Sequence, residues 1–97
     1  MVKMQQEYFM YKGYPLVRSG NELYYGYMSD PYVAWLQILH KTKQGEQEVA
    51  DKIRVYQMST DEKRSPMERI ANKADRTSLY EALDIAFTWL DRANQKN

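Results

Sequence analysis

The pattern of apolar and polar residues changes character near residue 60. Before this point apolar residues tend to alternate with polar ones, and the strand-forming residues Tyr, Val, Ile and Trp are common. After it, apolar residues recur at helical spacing among Ala, Leu, Glu and Arg. The pattern therefore predicts a mainly β segment over residues 7–59 and a helical segment over residues 65–94.

The first part of the β segment predicts a hairpin. A strand is expected over residues 7–12, and a short edge strand over 16–18, since Pro15 cannot donate a hydrogen bond within a central strand. The stretch Ser19-Gly20-Asn21-Glu22 is typical of a turn, because Gly and Asn tolerate positive φ. It predicts a hairpin into a strand over residues 23–28.

Two longer apolar runs, at residues 32–41 and 49–58, flank a polar stretch and predict a second hairpin. A helix over residues 30–41 is the alternative, because Asp30-Pro31 suits a helix start and apolar side chains follow at helical spacing: Tyr32, Trp35, Leu36 and Leu39. We favour the strand because the partner run is β-rich, with Ile53 and Val55 alternating with Arg54 and Tyr56.

Two capping signatures mark the helical segment. Ser65-Pro66-Met67-Glu68 has the form of a capping box and predicts a short helix that includes Ile70. Ser78 and Glu81 repeat the signature at the start of a longer helix. The apolar stripe of that helix, which needs a sheet to cover, consists of Leu79, Ala82, Leu83, Ala86, Leu90 and Ala93.

These elements predict an α+β fold. It is an antiparallel sheet of four or five strands in two hairpins, followed by a short helix and a longer C-terminal helix packed on one sheet face. A chain of 97 residues has room for one hydrophobic core, so residues 1–97 are expected to form a single domain. Residues 1–6 are expected to be disordered.

Strand alternation divides the side chains of the sheet between two faces. The face that suits the helix carries Leu23, Tyr25, Tyr27, Ala34, Leu36, Ile38, Ile53 and Val55. The second face carries Tyr24, Val33, Trp35, Gln37, Lys52, Arg54 and Tyr56. This second face is too aromatic for ordinary solvent surface and too polar for a second core.

Three interpretations of the second face are open. In the first, residues 8–14 or the helix expected within residues 65–76 fold over it. In the second, a protein partner or a second copy of the chain buries it, since Tyr, Trp and Arg are enriched at such contacts. In the third, single-stranded nucleic acid stacks on its aromatic rings.

The candidate interaction face consists of Tyr24, Trp35, Arg54 and Tyr56. We expect it to bind a protein partner or a second copy in a homodimer. Nucleic acid is the weaker alternative, because the net charge is only +1 and the most basic stretch, residues 52–76, holds seven Lys or Arg against four Asp or Glu. Nucleic-acid surfaces are usually far more one-sided.

The sequence offers little to catalysis. There is no Cys and only one His, His40, so a catalytic thiolate, a Cys-ligated zinc and a His-rich metal site all lack their residues. The four glycines are scattered, which argues against a phosphate-binding loop. We therefore expect a protein that is not an enzyme, with no catalytic residue, no cofactor and no metal.

The same composition predicts a cytoplasmic protein. A chain without Cys needs no oxidising compartment. Residues 1–7 lack the apolar segment of a signal peptide, and no run approaches the roughly 20 apolar residues that span a bilayer. We therefore expect no membrane contact.

The chain also resembles a known group of sequences. The resemblance rests on Tyr11-Lys12-Gly13-Tyr14-Pro15-Leu16-Val17-Arg18, Leu23-Tyr24-Tyr25-Gly26, Gln37-Ile38-Leu39, Leu79-Tyr80-Glu81-Ala82-Leu83-Asp84-Ile85-Ala86 and Trp89-Leu90. These segments are similar to a family of small uncharacterised proteins from Gram-positive anaerobic and gut bacteria. The resemblance spans residues 11–92 and implies a stand-alone bacterial domain, with no assigned activity and no ligand residues to carry over.

Overall fold

The computed structural model describes residues 7–95, and the disorder predicted for residues 1–6 lies outside them. Six strands and two helices follow one another in this range. In chain order they are β1 (Glu7–Tyr11), β2 (Tyr14–Ser19), β3 (Glu22–Tyr25), β4 (Tyr32–Gln44), β5 (Gln47–Ser59), α1 (Pro66–Arg69), β6 (Ile70–Arg76) and α2 (Leu79–Ala93).

The six strands form one antiparallel sheet in which each strand pairs with its neighbours in the sequence. Helix α2 packs across one face, mainly over β4 and β5. The predicted α+β class, antiparallel sheet and packed C-terminal helix are therefore confirmed. The sheet has six strands where four or five were expected.

The sequence allowed either a helix or a strand over residues 30–41, and the structure has a strand there. Tyr32 to Gln44 form β4, which pairs with β5 along its length. The helix-start signal at Asp30 marks a turn instead, in which the amide of Asp30 donates to the carbonyl of Tyr27 at 3.0 Å. The alternation of apolar and polar residues therefore outweighs the helix-start signal, because every second side chain, Ala34, Leu36 and Ile38, is buried in the core.

The prediction of helix throughout residues 65–94 is wrong over β6. The capping box at Ser65 and Glu68 is present, but α1 ends after one turn and Ile70 is already extended, with φ −81° and ψ 111°. The reason is tertiary: Ile70–Arg76 pairs with the free edge of β5. Two side-chain contacts support that pairing, Asn72 to Gln57 at 2.6 Å and Arg54 to Asp75.

The short strand expected over residues 16–18 is present, but it does not lie at an edge of the sheet. It belongs to β2, which lies between β1 and β3, so the edges of the sheet are β1 and β6. The carbonyl of Pro15 accepts a bond from Gly26 just past the end of β3. Because N and O of one residue point to the same side of a strand, the missing N–H of Pro15 faces this loop and costs the ladder nothing.

The core lies between α2 and the sheet face beneath it. Its buried side chains are Leu16, Leu23, Tyr25, Ala34, Leu36, Ile38, Ile53 and Val55 from the sheet and Ala82, Leu83, Ala86 and Leu90 from the helix. All the inward positions predicted for the strands are buried except Tyr27. That side chain lies beyond the end of β3 and is 42% exposed.

Several tyrosines pack together at one end of this core. The ring of Tyr25 lies 5.9 Å from that of Tyr11 and 5.6 Å from that of Tyr14. Burial raises the pKa of Tyr25, whose hydroxyl donates to the main-chain oxygen of Tyr11 at 2.7 Å. The ring of Phe87 packs edge-on against that of Tyr14, and Nζ of Lys12 lies over it, 4.9 Å from its centroid.

The end of β3 requires a glycine. Gly26 has φ +119°, a conformation that other residues rarely adopt. A Cβ atom there would lie 3.0 Å from Cδ1 of Leu90 and 3.3 Å from Cγ1 of Val33. The backbone of Gly26 therefore fits between Leu90 of the helix and Val33 at the start of β4, where a larger residue would not.

Candidate interaction surface

One row of side chains crosses the second face of the sheet from edge to edge. Tyr24, Trp35 and Tyr56 lie directly opposite one another on β3, β4 and β5. The same register continues through Val17 to Tyr8 on one side and to Lys73 on the other. We call these six residues, Tyr8, Val17, Tyr24, Trp35, Tyr56 and Lys73, the aromatic row.

No element within residues 7–95 covers the aromatic row. The segments expected to fold over it do something else: residues 7–11 extend one edge of the sheet as β1, and residues 70–76 extend the other as β6. Tyr24 is consequently 49% exposed and Tyr8 68% exposed. For the described part of the chain, the interpretation in which its own segments cover this face is wrong.

Trp35 and Tyr56 form the rigid centre of the row. Their rings stack with centroids 5.0 Å apart and planes inclined by 22°. Both side chains are half-buried. The indole N–H of Trp35 is shielded and has no acceptor among residues 7–95. Because stacking fixes both rings before any contact is made, little side-chain entropy remains to be lost on binding.

Arg54, the fourth residue of the candidate face, lies one step along the strand from the aromatic row and is already paired. Its Nε and Nη2 donate to the two carboxylate oxygens of Asp75 at 2.9 and 3.2 Å. This bidentate pairing raises the pKa of Arg54 and lowers that of Asp75. The structure therefore brings Tyr24, Trp35 and Tyr56 together and places beside them an Arg54 whose charge is largely satisfied.

A groove of about 500 Å³ opens beside the aromatic row, and we call it the aromatic groove. The side chains that define it include Val17, Tyr24, Val33, Trp35, Met58 and Arg69. Val33 lies opposite Met58 in the register of β4 and β5, one step along from Trp35. Alternation placed Val33 on this face and, continued from Tyr56, also places Met58 there. Arg69 escaped prediction because β6, which begins directly after it, was not foreseen.

Other titratable side chains form small, exposed contacts. Nδ1 of His40 lies 2.6 Å from Oδ1 of Asp51. The pairing of β4 with β5 is irregular on both sides of His40. Among residues 7–95, no three His, Asp or Glu side chains stand close enough together to hold a metal ion. Within the same range, no helix is both long and apolar enough to cross a bilayer.

Comparison with protein-family models, with curated proteins and with solved structures gives no match to this chain. The resemblance to small proteins of Gram-positive gut bacteria therefore stays a prediction.

Proposed function

We propose that the chain is a non-enzymatic interaction module that associates through the aromatic row, with a second copy of itself as the partner. One observation carries the proposal: Tyr24, Trp35 and Tyr56 share a face that no described element covers. Contiguous exposed aromatic surface of this kind is typical of contact surfaces. The absence of Cys supports a cytoplasmic setting.

The chemistry of the face suits self-association. A two-fold dimer brings the same patch of each copy together, so a patch with a charged centre would repel itself. The centre of the aromatic row carries only tyrosine, tryptophan and valine, and the charge of Arg54 is matched by Asp75. Two such sheets can pack face to face, as the two layers of a β-sandwich do.

The size of the face sets the expected strength. The row spans five interstrand gaps, about 24 Å at about 4.8 Å each, and its neighbouring rows lie about 7 Å away along the strands. This footprint is at the lower end of specific interfaces, which bury about 800 Å² on each partner. We therefore expect reversible dimers in the micromolar range.

The test is the mass in solution of two matched variants. Tyr24→Glu adds a carboxylate to the aromatic row, whereas Tyr80→Glu adds the same charge to a 69% exposed position on α2, away from the sheet. We expect light scattering after gel filtration to show concentration-dependent dimers for the wild type and Tyr80→Glu. Tyr24→Glu should weaken dimerisation by about tenfold or more, because association would bury an unpaired charge.

The proposal fails if the wild type stays monomeric at millimolar concentration, or if Tyr80→Glu dissociates dimers as well as Tyr24→Glu does. An oligonucleotide titration at two salt concentrations addresses the alternative. Tight, salt-dependent binding by a monomeric chain would replace self-association with nucleic-acid binding through the same rings.

A further inference from the structure

The geometry points to the aromatic groove as a binding site for a small amphipathic carboxylate, whose apolar chain lies against Trp35 and Met58 and whose carboxylate pairs with Arg69. The inference goes beyond the proposed function, because it requires no second protein. It rests on the shape of the groove, on the chemistry of its walls and on the position of its charge.

The volume and walls of the groove suit a small apolar body. Pockets that hold small molecules usually measure about 300–1,000 Å³ and are lined by apolar and aromatic side chains with a few polar groups. The aromatic groove, at about 500 Å³, has Val17, Val33 and Met58 among its walls together with the rings of Tyr24 and Trp35. Methionine adapts its shape to the ligand, which suits a flexible acyl chain.

One cation lies at the rim of this apolar space. Arg69 is the single charged side chain among the described residues that line the groove. Its Nε donates to the main-chain oxygen of Ser59 at 3.0 Å, which holds the guanidinium in place. The guanidinium has five N–H donors, so this bond leaves its two terminal nitrogens available for a ligand.

The charge of Arg69 is not matched within the described chain. No salt bridge to Arg69 occurs among residues 7–95, whereas Arg54 on the same face is paired with Asp75. Two acidic side chains of the adjoining segment are engaged elsewhere: Asp61 with Arg64, and Glu68 with Ser65 in the cap of α1.

A carboxylate is the group that satisfies this arrangement. It accepts two parallel bonds from a guanidinium, and such charge-assisted bonds are about twice as strong as neutral ones. A neutral ligand of the same shape would cover Arg69 without offering it a full charge, and a cationic ligand would be repelled. The groove is therefore expected to prefer an acyl chain that ends in a carboxylate over the matching alcohol or amine.

Ligand binding and self-association use the same side chains, Tyr24 and Trp35. The two events are therefore expected to exclude each other, and the ligand site is best tested on dilute, monomeric protein. Failure of the chain to dimerise would leave this test intact, and failure of the ligand to bind would leave the dimerisation test intact.

The test is a titration of the full chain with octanoate, 1-octanol and octylammonium, followed by the two indole N–H signals in ¹H–¹⁵N spectra. Trp35 lines the groove, whereas Trp89 lies on α2 across the sheet. We expect octanoate to shift the Trp35 signal to saturation and to leave that of Trp89 in place. Octanol is expected to bind about tenfold more weakly, and octylammonium more weakly still.

Two arginine variants complete the experiment. Arg69→Gln should lower the affinity for octanoate to that for octanol, while Arg64→Gln, in the same segment but paired with Asp61, should leave it unchanged. Equal affinity for octanoate and octanol on the unaltered chain would overturn the assignment without any variant. So would octanoate binding that Arg69→Gln leaves unchanged, or a shift of Trp89 in place of Trp35.

Discussion

The hydroxyl groups of Tyr25 and Tyr11 lie in one cluster but in opposite circumstances. That of Tyr25 donates to the main-chain oxygen of Tyr11 at 2.7 Å, whereas that of Tyr11 is shielded and has no partner among residues 7–95. A satisfied buried hydroxyl contributes to stability, and an unsatisfied one costs free energy because it has lost its water. The two side chains therefore offer a matched pair of substitutions.

We expect Tyr25→Phe to lower the free energy of unfolding by about 1 kcal/mol, because it leaves the carbonyl of Tyr11 without its donor. Tyr11→Phe should leave that free energy unchanged or raise it by up to about 1 kcal/mol, because it removes the unpartnered hydroxyl. Urea unfolding followed by tryptophan fluorescence measures both. An equal loss in the two variants would mean that the hydroxyl of Tyr11 has an acceptor.

At the scale of elements, β6 is held to the sheet partly by an ion pair with a predictable response to pH. The bond from Arg54 lowers the pKa of Asp75 below its ordinary value of 3.8. A carboxylate whose pKa is lower in the folded state stabilises the fold above its unfolded pKa, and this stabilisation is lost as the pH falls through the folded value.

We therefore expect Asp75→Asn to be less stable than the wild type at neutral pH, with the difference shrinking as the pH falls from about 5 to below 3.8. Urea midpoints across this range provide the measurement. Glu46→Gln, in the exposed turn between β4 and β5, is the control and should follow the wild type. If the stability difference between the wild type and Asp75→Asn stays the same at low pH, the contribution of Asp75 does not come from its charge.

The elements also show what could be predicted and why. The alternation of apolar and polar residues was enough to predict β4 and β5. One face of these strands is buried against α2, so every second side chain has to be apolar. The alternation also placed Tyr24, Trp35 and Tyr56 on one face. β6 could not be predicted, because Ile70–Arg76 is short of apolar residues and is a strand by virtue of its pairing with β5. Arg69 reaches the groove only because α1 ends where β6 begins, so the groove escaped prediction too.

At the scale of the whole molecule, residues 7–95 form one sheet with α2 packed across one of its faces. Each strand follows its neighbour, so β1 and β6 widen the sheet and neither returns over it. The described chain thus covers one face with α2 and leaves the aromatic row uncovered, which is the basis of the partner proposed for it. Of the nine tyrosines in the chain, Tyr25 is buried in the core and Tyr24 is exposed in the row, whereas Tyr80 lies exposed on α2 and belongs to neither.

The most direct test of this account follows the indole N–H signals of Trp35 and Trp89 as the protein concentration rises from micromolar to millimolar. Trp35 belongs to the aromatic row, while Trp89 lies on α2 on the opposite side of the sheet. The account predicts that the Trp35 signal shifts with concentration and that the Trp89 signal stays in place. A Trp35 signal that stays fixed over the whole range, or a shift confined to Trp89, would contradict it.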